Sequence, residues 1–216
     1  MDALEAMRAR RSVGRLVEPS PSDSVLHLIL AAAAAAPDHD ELRPWRFAIL
    51  RGDAKDAFGE VLLSAYLERC RREGAEPTEG QKTKERTKLG RAPLVVVVGA
   101  VRQDDTKIPW IEQQLAAGAA AENILIACTA LGYGSMWRTG DPAYDDRVKG
   151  ALGLGADDAI VAFIYIGTPA EGSAKPRQDP DPDAFTTVWT PNPSSGGRSG
   201  TGQRVAGSSD DLDVGG

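Results

Sequence analysis

The stretch that most limits the fold is Trp110 to Arg138, WIEQQLAAGAAAENILIACTALGYGSMWR. Neither proline nor a cluster of helix breakers interrupts it between Ile111 and Leu131, so the spacing predicts one helix roughly 30 Å long, about the diameter of a small domain. Its middle is alanine with Gly118. Small side chains on every face suit a rod with other backbones packed closely around it, an ordinary buried helix in an alanine-rich protein being the plainer alternative. Glu122 and Asn123 break the apolar run, which argues against a membrane span. Gly132 and Gly134 then end the helix, and a short strand is predicted over Ser135 to Trp137.

The remaining elements must be arranged around this rod. Asp2 to Arg11, DALEAMRARR, reads as a short helix with apolar Leu4 and Met7, acids early and arginines late. Ser20, Pro21 and Asp23 read as the cap, first position and first turn of a second helix reaching Ala36, with Val25, Leu28 and Ile29 in its buried register. Asp53 to Glu73 places Phe58, Val61, Leu62, Ala65 and Tyr66 on one helical face, and Tyr144 to Leu152 is a further helix. Strands are predicted over Trp45 to Leu50 and, as apolar runs covered on both faces, over Leu94 to Val101 and Ala159 to Ile166. The polar stretch from Gly74 to Leu89 is expected to be part helix and part loop, a candidate lid. Helices interleaved with a few strands imply a mixed α/β or α+β layer fold. Phe185 to Trp189 is an apolar island read as an extended arm, and 191–216, chiefly Gly, Ser, Arg and Asp, is expected to be a disordered tail.

A chain of 216 residues accommodates one sizeable domain or two small ones. Its formal charge of -6 argues against general nucleic-acid binding, so local basic clusters say more than the total. Cys70 and Cys128 are far apart in sequence, and His27 and His39 are the only histidines, so neither a disulfide framework nor a metal centre is expected. The N-terminus lacks the apolar region of a signal peptide, and a cytoplasmic location is expected. The nearest approach to a dinucleotide fingerprint, GLG at Gly153 to Gly155, follows a helix and lacks the third glycine.

Two segments concentrate donors. Arg10, Arg11, Ser12 and Arg15 gather where the first helix must stop. Guanidinium forks match phosphate oxygens in geometry and charge, yet solvated arginines at a helix end have the same spacing, and spacing alone does not separate an anion clamp from a cap. His39 and Arg43 lie in the polar loop PDHDELRP ahead of a strand. Such loops carry function more often than the strands they precede, although a lone loop histidine is ordinarily just solvated.

Taken together, MDALEAMRARRS, AAPDH with RPWRF, RAPLVVVV, ALGYGSMWRTG and IVAFIYIGTP resemble, in order and approximate spacing over residues 1 to 190, the nitroreductase family of FMN-dependent oxidoreductases, and within it the short NAD(P)H nitroreductase group. The resemblance implies an α+β fold of nitroreductase-like three-layer α/β/α form, with a mixed sheet flanked by helices and a long central helix. It also implies a homodimer with FMN in the interface and a C-terminal arm exchanged between subunits. The flavin-binding domain would cover residues 1–190.

Arg10, Arg11 and Ser12 match the segment that in the family holds the flavin's phosphate and ribityl side. His39 matches a loop position in contact with FMN, and Met136, Trp137 and Arg138 match the segment that lines the cofactor after the long helix. Lys175 and Arg177 resemble the basic pair that completes the phosphate site, a solvated linker being the alternative. Two departures stand out. Where many relatives carry asparagine and glutamine before PW, this chain has Glu41 and Arg43; an arginine there suits the isoalloxazine carbonyls or a substrate phosphate, whereas Glu41 would repel an anionic flavin. Ala35 stands where some relatives carry a long basic side chain reaching the other subunit's flavin.

The implied activity is reduction of nitroaromatics, quinones or similar electron-poor small molecules, with bound FMN taking hydride from NAD(P)H and passing it on in a ping-pong cycle. Such chemistry is flavin-borne and requires no catalytic nucleophile or general base from the protein. Arg138 and the backbone around Trp137 are candidates for stabilising charge near flavin N1. A flavin-binding or flavin-processing protein with little reductase turnover is the alternative. Neither a nucleic acid nor a membrane is expected as a partner.

Overall fold

Asp2 opens α1 (Ala3–Ala9) with a reciprocal capping box, accepting from Glu5 N at 2.8 Å while Glu5 accepts from Asp2 N. Ala6 is the buried residue of this helix, and Leu4 and Met7 are exposed. The structure, a computed structural model, describes residues 1–173, 179–190 and 201–204. The chain divides into two compact units, Met1–Lys175 and Pro176–Gly216, the first ending ahead of residue 190.

In the first unit, β1 (Leu16–Val17) leads to α2 (Asp23–Ala34). The cap of α2 is Ser22, not Ser20: its Oγ accepts from Val25 N at 3.4 Å, while Ser20 N donates to Glu18 and Pro21 is buried ahead of the cap. The buried face is Leu26, Ile29 and Ala33, at helical spacing, which turns Leu28 to solvent instead of the core. Next come β2 (Trp45–Arg51) and α3 (Asp53–Glu73), the latter closed by Gly74 at φ 67. The candidate lid is a second helix, α4 (Glu79–Thr87), capped reciprocally by Thr78 and Gln81. It lies so close to α3 that a Cβ at Gly59 would stand 2.2 Å from the Arg86 carbonyl oxygen. Then follow β3 (Leu94–Ala100), α5 (Trp110–Ala130), β4 (Gly134–Arg138), α6 (Asp146–Ala151) and β5 (Ala159–Pro169).

The sheet of this unit runs β2-β3-β5, and the other edge of β5 serves both β4 and β1. Gly134–Arg138 pair with Gly167–Phe163, and Leu16 and Val17 with Pro169 and Thr168. Every ladder is antiparallel; the isolated bridge between Ser12 and Ser135 is parallel and makes the sheet mixed. All seven residues of β3 are buried, as a strand covered on both faces requires. One face packs on α2 and α5 through Ile29, Ala33, Val96, Ala117, Ile124 and Ile164. The other packs on α3, α6 and the turn after α4 through Leu62, Leu89, Val95, Val97, Val148 and Phe163.

The alanines of α5 face this core and let α2 approach, so that Asn123 Nδ2 donates to the Ala32 carbonyl at 2.9 Å. The expectation of close packing on every face is not met within one chain. A Cβ at Gly118 meets nothing within 4 Å, and Ile111 and Leu115 are exposed. Cys70 and Cys128 are free and buried, and burial pushes the Cys128 thiol up to about 12. Among the described residues no helix is long and apolar enough to cross a membrane, and no cluster of His, Cys, Asp and Glu suits a metal.

In the second unit, a one-turn helix (Pro182–Phe185) precedes β6 (Thr187–Thr190), which pairs antiparallel with β7 (Thr201–Arg204). The latter lies inside the stretch expected to be disordered; the β-branched and aromatic TVWT of β6 favours extended backbone for it to pair with. The rest of 191–216 is outside the described residues. Phe185, Val188 and Trp189 are all exposed.

Candidate functional site

The first cluster is built where α1 ends. Arg11 Nη1 donates to the Arg8 and Arg10 carbonyls and so completes the cap of α1. Arg10, the C-cap residue, turns its guanidinium toward α5, where Nε lies 3.7 Å from Glu122 Oε1. The two neighbouring arginines are thus turned to different partners, one to the helix end and one to a carboxylate of α5. The backbone then joins the edge strand: Ser12 bridges to Ser135, and Val13 N donates to the Ser135 carbonyl at 3.0 Å. The junction requires Gly134, because a Cβ there would stand 2.7 Å from Leu16 Cδ2 and 3.0 Å from Pro169 Cγ.

Strand periodicity gives the two sides of β4 different chemistry. Ser135 and Trp137 point to the α5 side, Met136 and Arg138 to the α3 side. Ser135 is 2% exposed, and its Oγ has no hydrogen-bond partner among the described residues. Trp137 lines a cleft of about 690 Å³ together with Ile111, Leu115, Gly118 and Tyr144. Arg138 borders a smaller cavity, about 220 Å³, shared with Lys84, Glu85, Lys88, Arg91 and Tyr165. Glu85 is ion-paired with Lys88, whereas Lys84, Arg91 and Arg138 have no ion pair among the described residues. Arg138 Nε is 3.2 Å from Met136 Sδ.

Burial pushes the Tyr165 hydroxyl above its ordinary range, against the opposing pull of Arg138 and Arg91. It therefore stays protonated at neutral pH and donates to the Lys88 carbonyl at 3.4 Å. Cations over an aromatic floor suit an anionic ligand with a ring. Lys84, Lys88 and Arg91 had no place in the sequence-derived site, because the polar stretch before β3 carries charges of both signs. The available signal was their spacing of four and three residues, which puts basic side chains on one side of a helix and the turn after it.

The second cluster lies at the other end of α5. His39–Glu41 form a single helical turn in which Asp40, Glu41 and, just beyond, Arg43 take positive φ of 56°, 52° and 48°. Each such conformation costs a non-glycine residue roughly 1 kcal/mol, so the segment needs restraint from outside. Asp38 Oδ2 accepts from Arg43 N at 2.6 Å, and Gln103 Nε2 donates to the Leu42 carbonyl at 2.7 Å. Gln103 is in turn clamped by Gln113, which is 2% exposed on α5: Gln113 Oε1 accepts from Gln103 N (2.9 Å) and Nε2 donates to the Gln103 and Ile108 carbonyls (3.0 and 3.1 Å). His39 Nδ1 meets Glu112 Oε2 at 2.9 Å. That hydrogen bond raises the histidine's pKa, helped by the charges of Asp40 and Glu112 and opposed by desolvation.

The two residues of the first departure from the family pattern answer each other. Arg43 Nη2 donates to Glu41 Oε2 at 2.9 Å, so the carboxylate expected to repel an anion has its own counter-charge. Ala35 caps the C-terminus of α2 and supplies no side-chain donor. Glu112 and Glu122 mark the two clusters on α5, and ten residues of helix separate them by about 15 Å. Arg10, Arg11 and Ser12 therefore come together with Met136, Trp137 and Arg138, while His39 and Arg43 stand apart. Lys175 and Arg177 lie outside the described residues.

The sequence profile described as "Nitroreductase family" matches residues 7–168. The chain belongs to the nitroreductase family. It is 36% identical over 189 residues to YdjA of Escherichia coli K12, which carries the provisional name of an NAD(P)H nitroreductase; the match spans 88% of this chain and all of that one. A Haemophilus influenzae protein with the same kind of provisional name is 29% identical over 188 residues, covering 87% and 99% of the two chains. Among solved structures, a nitroreductase-like family protein from Bacillus cereus superposes with a TM-score of 0.72 at 20% identity, over 87% of this chain and 96% of that one. A nitroreductase-type protein from Desulfovibrio desulfuricans, solved in complex with FMN, gives 0.61 at 27% identity over 83% and 92%. The nitroreductase α+β architecture, with its antiparallel ladders and flanking helices, is thus shared across the first unit.

Proposed function

We propose that this nitroreductase-family protein is an FMN-dependent NAD(P)H oxidoreductase that reduces nitroaromatic, quinone or similar electron-poor small molecules by ping-pong hydride transfer. One observation carries the reading. Strand β4 sets Met136–Arg138 beside Arg10–Ser12 through the Ser12–Ser135 bridge, and Arg138 opens onto a cavity where it, Lys84 and Arg91 have no ion pair among the described residues. The donor set fits a phosphate-bearing ring system.

FMN, when bound, supplies the group that accepts and donates hydride. The chain supplies position and charge. Arg10, Arg11 and Ser12 bind phosphate and ribityl oxygens; Lys175 and Arg177 are assigned to the same phosphate. Arg138 stabilises negative charge on the pyrimidine edge, and Trp137 walls the cleft and excludes water. His39 and Arg43, a cofactor's length away along α5, serve the flavin of a second subunit in a homodimer. The exposure of Ile111, Leu115, Phe185, Val188 and Trp189 supports such an assembly, with the C-terminal segment as its exchanged arm.

An absorption spectrum followed by anaerobic titration tests the reading. The purified protein is expected to carry a flavin band that NAD(P)H bleaches and a nitroaromatic or quinone restores. A flavin band that neither nicotinamide bleaches would leave a flavin-binding protein with little turnover, and a colourless protein that binds no added FMN would refute the site.

A further inference from the structure

Adjacent residues of α5 send their polar groups to one place. Gln113, buried, reaches the His39 loop through Gln103 and Leu42, and Glu112 reaches the histidine itself. Glu112 lies in the first turn of the helix and presents Oε2 to His39 Nδ1 at 2.9 Å. An ionised carboxylate against Nδ1 selects imidazole forms that carry a proton on that nitrogen.

We propose that Glu112 is a positioning residue for His39: with Gln113 and Gln103 holding the backbone, it fixes the ring with Nδ1 as donor and leaves Nε2 as the edge offered to an anionic oxygen ligand. The ligand's identity as FMN rests on the function proposed above; the positioning does not. The carboxylates acting on His39 are Glu112 from α5 and Asp40 from its own loop, and both raise its pKa. The imidazolium, with Nε2 also a donor, therefore persists to higher pH than in an isolated histidine. Because the folded value is raised, the contact's contribution is complete below the ordinary histidine range and is lost as pH rises through the raised value.

The chain has two histidines, so a His27→Gln background leaves one imidazole to follow by NMR. In that background Glu112→Gln is expected to lower the His39 titration midpoint and to shift its ring nitrogens away from the Nδ1-protonated pattern. Binding of FMN, read by quenching of its fluorescence, is expected to weaken about two- to fivefold at neutral pH, the scale of an exposed charged pair. His39→Asn is expected to remove the part of the pH dependence of binding that follows the midpoint. An unchanged midpoint in Glu112→Gln would overturn the proposal, as would a lowered midpoint with unchanged FMN affinity. If no form of the protein binds FMN, the functional reading fails, and the midpoint and ring-nitrogen shifts alone decide the positioning.

Discussion

The two ends of α5 hold their segments by opposite means. Beside Glu122, Ser12 and Val13 are seated by backbone pairing to β4, no residue from 10 to 13 has positive φ, and glycine stands at the one point where a side chain would collide. Beside Glu112, residues 38–43 are held by side chains, and three of the six have positive φ without being glycine. Backbone pairing tolerates changes of side chain. A loop pinned by Gln103, Gln113, Asp38 and Glu112 depends on particular atoms, so single substitutions reach it from a distance.

The comparison is broken most sharply at Gln113. Gln113→Leu leaves Gln103 N and two carbonyls without partners in a buried setting, and an unfolding free energy lower by about 2 to 3 kcal/mol is expected in urea titrations. At the opposite end, Gly134→Ala forces Leu16 and Pro169 apart and should cost about 1 to 2 kcal/mol by the same measurement. Gly118→Ala adds helix propensity in open space, and a gain of about 0.5 to 1 kcal/mol is expected of the monomer at low protein concentration. A loss growing with protein concentration would place a second chain's backbone against that face. Asp40→Gly relieves one left-handed residue while loosening the unfolded chain, and a net gain of about 0.5 kcal/mol in thermal unfolding is the smallest effect.

Much of the first unit was legible because its signals are local. The continuous apolar runs of β3 and β5 and the uninterrupted length of α5 depend on periodicity alone. The start of α2 was misplaced because two serines flank Pro21 and both suit a cap; only the three-dimensional burial of Pro21 decides for Ser22. The polar stretch before β3 was expected to be part helix, as it is, but nothing in its composition marks the docking of Arg86 against Gly59. In the candidate site, the family pattern pointed to Arg10–Ser12 and Met136–Arg138, and the fold brings these two segments together. The clamp from Gln113 through Gln103 to Leu42 was not legible, because it joins three segments by hydrogen bonds that no spacing announces.

The alternation along β4 bears on how such a protein can change. Trp137 and Arg138 are neighbours in the chain yet belong to separate compartments, whereas Arg138 and Tyr165, distant in sequence, share one. A change of side chain at position 137 reshapes the α5-side cleft and leaves the lining of the cationic cavity as it is. An edge strand divided in this way lets one compartment vary independently of the other.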